Sequence, residues 1–188
     1  PQPGSWISPQ GIPVDLMVPA LLSGEGGRRG GRIPPHSPRA TRRAAGLEAA
    51  VVDHAPMIIQ ALDPTDPRSA EMNVAGPAAL LVAKLHKLGE RRTMPGRLLD
   101  KDAHDVYRLL VTADTPALAS SLRVLQRSDL AGSVTNEAIA YLEMLFATGP
   151  DALGAVMAGR AEALLGNAPV VSAASAALAA DLVAALSR

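Results

Sequence analysis

The pattern of apolar and polar positions divides the chain near residue 75. From Gly76 onward, apolar residues recur three and four positions apart, as they do on one face of an α-helix. Before Gly76 the apolar runs are short and are separated by proline and glycine, which is typical of short strands and loops. The pattern therefore predicts helices after residue 75 and, before it, strands at 12–18, 47–52, 57–62 and 71–75.

Proline and glycine also mark the ends of the predicted helices. Gly76-Pro77 begins the first long helix, because proline is tolerated in a first turn, and residues 93–96 end it. The next helix is predicted to begin near residues 99–100. A third begins with Thr115 as its N-cap, followed by proline. Further breaks at 149–151 and 166–169 leave a last helix over about 170–186.

The first long helix has cations along one stripe. Lys84, Lys87 and Arg91 are spaced at three and seven positions, and they share a face distinct from that of the helix's leucines. Asp102 and Asp105 lie one turn apart near the start of the next helix, where the helix dipole favours negative charge. Charges on amphipathic helices are most often solvated surface groups. The combination of a cation stripe with paired carboxylates nevertheless favours a phosphate-handling site.

Composition restricts the class of protein. The 188 residues are 48% apolar but only 2% aromatic, so we expect a core of leucine, valine and alanine in closely packed helices. The formal net charge is zero, so long-range attraction to nucleic acid is not expected. The sequence has no cysteine, which excludes disulfides and thiolate zinc sites. It shows no signal-peptide pattern, and no apolar run has the length expected of a bilayer-spanning segment. We therefore expect a cytoplasmic protein without membrane contact.

Together these patterns predict an α+β protein. A small mixed β-sheet is expected to pack against the helix that contains Lys84, and an α-helical C-terminal bundle is expected to follow. The predicted division separates residues 1–112, the α/β part, from residues 113–188, the helical part.

The two central helices share a composite motif. A Lys-Leu-His segment and a Glu-Arg pair in the first helix are followed, after a short loop, by an Asp-x-x-Asp-x-Tyr-x-Leu-Leu pattern. This motif resembles the C-terminal half of the AbiEii-type nucleotidyltransferases, a family of the polymerase-β-like superfamily that includes the MenT toxins. The resemblance covers residues 74–110, is weaker over 12–73 and says little about 115–188. The matching positions are Lys84, Leu85, His86, Glu90, Arg91, Lys101, Asp102, Asp105, Tyr107, Leu109 and Leu110.

The resemblance implies an enzyme that uses Mg²⁺ and transfers a nucleotide from a nucleoside triphosphate to RNA, such as a tRNA end, or to a protein hydroxyl. It also implies the toxin of a toxin–antitoxin pair, with a cognate antitoxin protein as partner. Phosphoryl transfer requires positioning and charge neutralisation more than covalent chemistry. Lys84 would hold the triphosphate, with Lys87 and Arg91 behind it. Asp102 would act at the active centre as a base or positioning group, and Asp105 could replace it.

The sequence departs from the family in its first motif. The family has a Gly-Ser turn followed by a strand with Asp-x-Asp, whose carboxylates bind Mg²⁺. Here Gly4-Ser5 is followed by Asp15, but Met17 occupies the second acidic position. We therefore assign Asp15 to a later strand as an assisting metal ligand. A carboxylate on the polar face of a sheet is an equally weighted alternative for Asp15.

This departure leaves two interpretations of the chain. In the first, the two-carboxylate strand lies upstream of Pro1, and the chain is a processed product, a fragment or one piece of a longer protein. In the second, the chain is a non-catalytic relative that has kept the fold. Such a relative would act as a nucleotide-binding, RNA-binding or regulatory module.

A stretch rich in glycine and arginine covers residues 24–43. Its six arginines accompany a single acidic residue, Glu25. Guanidinium groups bind phosphate through paired hydrogen bonds, and flexible arginine-rich segments order on RNA. For each arginine alone, a mobile surface loop is the simpler interpretation. As a group, Arg28, Arg29 and Arg32 are the first candidates for contacts with RNA or triphosphate.

Overall fold

The computed structural model describes residues 2–24, 30–163 and 166–188. The predicted α+β class is confirmed, with short strands up to residue 75 and long helices after it. The strands are β1 (Ser5–Ile7), β2 (Pro13–Asp15), β3 (Met17–Pro19), β4 (Arg42–Ala44), β5 (His54–Gln60) and β6 (Ser69–Ala75). The helices are α1 (Glu48–Val52), α2 (Pro77–Arg91), α3 (Asp100–Thr112), α4 (Thr115–Gln126), α5 (Gly132–Leu142), α6 (Leu153–Glu162) and α7 (Ala168–Leu186), and a π-helical turn, Glu143–Ala147, extends α5.

The strands pair in twos. Within the described ranges they form three two-stranded sheets, whereas the sequence predicted one small mixed sheet. β1 and β2 are antiparallel, β3 and β4 are parallel, and β5 and β6 are antiparallel. Proline occurs in several of these strands, as at Pro13, Pro19 and Pro56. Because proline has no N–H to donate to a further neighbour, such strands are suited to an edge position.

The hydrophobic core lies between the helices. Leu81, Leu85 and Leu88 of α2 are buried, as their spacing predicted. Among the buried hydrophobic residues of the described ranges, only Val18 and Ala49 precede Gly76. The first 75 residues therefore contribute little to the core.

This core is continuous across the predicted division at residue 112. Val106 and Leu110 of α3 belong to the same buried cluster as Leu118 and Leu122 of α4. Helices α3, α6 and α7 are in mutual contact, and α2 packs on both α3 and α5. The helices from α2 to α7 thus share one core.

One of the four predicted strands is wrong. Residues 47–52 were expected to be a strand, but they contain the short helix α1. The helical turn buries Glu48 and Ala49 together, and the Glu48 Oε1 atom accepts a hydrogen bond from the Leu21 backbone N–H at 3.0 Å. The hydrogen bond from Leu21 and the packing of Ala49 stabilise this helical turn against the strand preference of the valines that follow.

The predicted helix starts are confirmed, although one cap differs. Pro77 occupies the first turn of α2, and α3 begins at Asp100. Thr115 was predicted as the N-cap of α4, but the cap is Asp114, whose Oδ1 accepts from the Ala117 backbone N–H at 2.9 Å. The hydrogen-bonding side chain is therefore one residue earlier, and Thr115 is the first helical residue.

Helix α7 is long and apolar enough to cross a membrane by length and composition alone. The sequence pattern predicted no such segment. Val171, Ala179 and Leu182 are buried against the other helices, but only 28% of the apolar window of α7 is buried. A single helix of this kind is weak evidence for a membrane.

Candidate functional site

The start of α2, the helix that contains Lys84, is fixed by a distant residue. Asp53 follows α1, and its Oδ2 atom accepts a hydrogen bond from the Ala79 backbone N–H at 2.9 Å. The Asp53 backbone oxygen also accepts from the Gly76 N–H at 2.9 Å. A Cβ atom at position 76 would lie 2.2 Å from Asp53 Oδ1, so any larger residue there would displace the capping carboxylate. A carboxylate at a helix N-terminus accepts hydrogen bonds from the free backbone N–H groups and interacts favourably with the helix dipole.

The cation stripe of α2 faces the carboxylates of α3. Lys84 Nζ lies 2.7 Å from Asp105 Oδ2, and Lys87 Nζ lies 2.6 Å from Asp102 Oδ1. Arg91 Nη1 lies 3.5 Å from the other oxygen of Asp102. We call these five residues the ion-pair ladder. The two groups that the sequence singled out separately are therefore partners of each other.

The two carboxylates of the ladder differ in burial, whereas its three cations are all partly exposed. The Asp102 side chain is 2% exposed and lies between two cations. The Lys84 and Asp105 side chains are 32% and 38% exposed, so solvent reaches both. Buried charges are costly unless they are paired, whereas exposed pairs contribute little to stability. The Asp102 end thus joins the two helices, and the Lys84–Asp105 end is accessible to a ligand.

Asp15, the candidate metal ligand, lies on the β1–β2 hairpin. Its Oδ1 accepts from the Ser5 hydroxyl at 2.7 Å, and its Oδ2 accepts from Arg42 Nη2 at 3.2 Å. The Ser5 hydrogen bond and the Arg42 charge hold the pKa of the Asp15 carboxyl below its usual value. Asp15 is therefore a hydrogen-bonded carboxylate that already has a cation beside it.

The described residues do not fit a Mg²⁺ site by themselves. Mg²⁺ prefers several oxygen ligands in octahedral geometry. Within residues 2–24, 30–163 and 166–188, no group of three or more histidine, aspartate or glutamate side chains could hold a metal ion. Asp15 is joined to Arg42, and a guanidinium beside a carboxylate opposes a second cation. A Mg²⁺ site would need carboxylates in addition to Asp15.

The arginine-rich stretch is described only in part. Arg28 and Arg29 lie outside the described residues, so nothing tests their predicted contacts. Arg32 is exposed on the segment that follows, and its backbone N–H donates to the Ser23 carbonyl oxygen at 2.6 Å. Arg43 Nη2 donates to the Ala20 carbonyl oxygen at 3.1 Å. Part of the stretch is thus fixed to the β3–β4 region.

A histidine–carboxylate hydrogen bond and an ion pair also join α3 to α6, and neither was predicted from the sequence. His104 Nε2 lies 2.6 Å from Glu162 Oε1, and Arg160 makes two hydrogen bonds to Asp100, at 3.0 and 2.7 Å. The hydrogen bond to Asp100 raises the pKa of the Arg160 guanidinium. Opposite charges at helical spacing on both segments were the available signal, but spacing alone does not show which helices meet. His86 of α2 is buried, with Nε2 2.8 Å from the Val134 carbonyl oxygen.

Comparisons of the chain with protein-family models, with curated proteins and with solved structures found no match.

Proposed function

We propose that the chain is a nucleotidyltransferase-like protein. In this proposal it transfers a nucleotide from a nucleoside triphosphate to RNA, such as a tRNA end, or to a protein hydroxyl, on condition that carboxylates in addition to Asp15 complete the Mg²⁺ site. It is also, in this proposal, the cytoplasmic toxin of a toxin–antitoxin pair. The observation that supports it best is the accessible pair formed by Lys84 and Asp105, whose Nζ and Oδ2 atoms are 2.7 Å apart. This pair joins a cation and a carboxylate that both belong to the composite motif.

The accessible pair has the properties of an exchangeable phosphate contact. A partly exposed ion pair contributes only about 0–1 kcal/mol. A triphosphate has several negative charges and therefore competes well with one carboxylate for the Lys84 ammonium group. When Lys84 turns to the phosphates, Asp105 is released beside the reacting region, where it can accept a proton or position a hydroxyl.

The buried end of the ladder has a positioning role in this proposal. Asp102 is held by Lys87 and Arg91 and is almost fully enclosed. It fixes the separation and rotation of α2 and α3, and so the separation of Lys84 and Asp105. Of the two carboxylates, Asp105 is therefore the better candidate for contact with substrate, although the motif favoured Asp102.

Substitution of Lys84 tests this proposal. Lys84→Ala should lower the labelling of RNA from an α-³²P nucleoside triphosphate with Mg²⁺ by about 10²–10³-fold, because it removes the charge that stabilises the transferred phosphate. The matched control is Arg127→Ala, which removes an exposed cation just after α4. Circular dichroism should show that both variants keep the helical fold. Unchanged labelling by Lys84→Ala would contradict the assignment.

Asp105→Asn separates binding from chemistry. The amide cannot hold the Lys84 ammonium group as firmly, so triphosphate binding should be equal or tighter. Transfer should fall, because an amide is no base. Isothermal titration and the labelling assay measure the two properties on the same sample. If Asp105→Asn lost both triphosphate binding and nucleotide transfer, Asp105 would only support the fold.

A non-catalytic module is the second candidate function. Two observations favour it: every cation of the ladder already has a carboxylate partner, and the described residues include no group able to hold a metal. Titration with the four nucleoside triphosphates and MgCl₂ distinguishes the candidates. Binding without transfer would support the module, and absence of binding would count against both.

A further inference from the structure

The β5–β6 hairpin has one wholly apolar face. Opposed residues of an antiparallel pair place their side chains on the same side of the sheet, and successive residues alternate. The register pairs Met57 with Met72, and the pairs two positions away on either side are also apolar. The opposite face is mixed: it contains His54, Gln60, Ser69, Glu71 and Asn73 together with Pro56, Ile58 and Ala75. The apolar face consists of Ala55, Met57, Ile59, Ala70, Met72 and Val74.

This apolar face is open to solvent. Met57, Ile59 and Met72 are 50%, 43% and 57% exposed, and all of β5 is exposed. A two-stranded hairpin is only marginally stable in water, whereas three or more strands with an apolar face form a stable sheet. The apolar face of this two-stranded hairpin is therefore of the kind found in sheets of three or more strands.

The free edge of β6 is suited to pairing with another strand. β6 is paired on one side only, by β5, in the part of the chain that the structure describes. β5 contains Pro56, which has no N–H, but β6 has neither proline nor lysine over its seven residues. Proteins usually block exposed edges with such residues, because an open edge is a template for another chain. Glu71 is the one charged residue on this edge.

The sequence of β6 is complementary to itself. If two copies pair antiparallel about Met72, Glu71 of one copy lies opposite Asn73 of the other, so a carboxylate meets an amide donor. Ala70 lies opposite Val74, and the two methionines meet at the centre. No like charges are directly opposed. This register also keeps both apolar faces on the same side of the joined sheet.

We propose that a second copy of this chain pairs with the β6 edge about Met72, and that the protein forms a two-fold symmetric dimer. The four strands, in the order β5–β6–β6–β5, make one antiparallel sheet with a continuous apolar face. Such an interface is isologous, because the same strand is used by both copies. This proposal is independent of the nucleotidyltransferase assignment.

Sedimentation of charge variants tests the register. The unaltered chain should show a concentration-dependent monomer–dimer equilibrium. Asn73→Glu places two carboxylates opposite each other on both sides of the axis, so the dimer should be lost. The double variant Glu71→Lys/Asn73→Glu restores opposite charges, and the dimer should return. The matched control is Gln60→Glu, which adds a carboxylate to the same mixed face but on β5, and it should dimerise like the unaltered chain.

A cysteine cross-link tests the same contact directly. The sequence has no cysteine, so an introduced one gives an unambiguous product. Met72→Cys should form a covalent dimer under mild oxidation, because the Cα atoms of opposed residues are about 4.5–5.5 Å apart, within the range that a disulfide spans. Ile58→Cys, which is exposed on β5, should remain monomeric under the same conditions.

Three results would overturn the proposal. The first is a monomer at every concentration for the unaltered chain. The second is a dimer that persists in Asn73→Glu, which would place the interface elsewhere. The third is equal cross-linking of Met72→Cys and Ile58→Cys, which would indicate random collision.

Discussion

At the scale of single residues, Asp102 is the most constrained charge between α2 and α3. Its side chain is almost fully enclosed, and each of its oxygens faces a different cation. Lys87 and Arg91 approach from the same helix, one turn apart, so Asp102 bridges two positions of α2. Removing one partner from a buried ion pair leaves uncompensated charge and is strongly destabilising. Asp102 therefore links the two helices more firmly than the exposed pair does.

Asp102→Asn should destabilise the protein by about 1–3 kcal/mol, because it leaves two cations without their counter-charge. The loss of stability is limited because water still reaches the Lys87 and Arg91 side chains. Urea unfolding followed by circular dichroism measures the change. Asp105→Asn is the matched control, and it should change stability by less than about 1 kcal/mol, since that pair is exposed. Equal losses for the two variants would contradict the division of roles.

The residues of the candidate site were predictable from the sequence, but their partners were not. Periodicity placed Lys84, Lys87 and Arg91 on one face of a helix, because that depends only on spacing within one segment. Which face meets α3 depends on how the helices cross, and no local pattern contains that information. The cap of α2 by Asp53, from 26 positions away in sequence, was missed for the same reason.

At the scale of elements, the approach of α6 to α7 depends on one glycine. A Cβ atom at Gly159 would lie 2.2 Å from the Ser172 hydroxyl oxygen and 2.5 Å from the Ala168 carbonyl oxygen. The second of these belongs to the backbone of the first turn of α7 and cannot rotate away. Glycine at position 159 therefore sets how closely the two helices pack.

Gly159→Val should lower the free energy of unfolding by at least about 2 kcal/mol, since overpacking a close helix contact forces the backbones apart. Thermal and urea unfolding would measure it. Gly96→Val provides the comparison, because a Cβ atom at Gly96 meets nothing within 4 Å, and its effect should stay within about 0.5 kcal/mol. A tolerated valine at position 159 would show that α7 can shift on α6.

The helices were predicted more accurately than the strands. Gly76-Pro77 and Thr115-Pro116 mark helix starts through local backbone chemistry, so the structure agrees with them within a residue. The strand prediction for residues 47–52 was wrong because α1 is stabilised by the hydrogen bond between Glu48 and the distant Leu21 N–H. The three separate sheets were also not foreseeable, because strand pairing is a long-range property.

At the scale of the whole molecule, the two parts of the chain are unequal in their packing. The helices after Gly76 share one core, while the preceding strands expose many large hydrophobic side chains. Among the exposed are Trp6, Ile7, Met57 and Ile58. The helical part therefore contains most of the hydrophobic core that independent folding requires.

Residues 76–188 expressed alone should fold and unfold cooperatively. They should be less stable than the full chain by at least about 1 kcal/mol, because they lose the Asp53 cap of α2. Far-UV circular dichroism during heating measures both properties. Residues 2–75 alone should show no cooperative transition. A helical part that fails to fold alone would show that α1 and the strands are needed for the core.

The open hairpin also determines how the protein responds to oxidants. The sequence has no cysteine, so methionine is its only oxidisable sulfur. Met57 and Met72 are about half exposed on the hairpin, whereas Met157 is buried in the helical core. Oxidation to the sulfoxide places a polar oxygen on an apolar surface. Met17, Met94 and Met144 are exposed to a similar degree, so peroxide would modify these residues together with the hairpin face and reach the buried Met157 last.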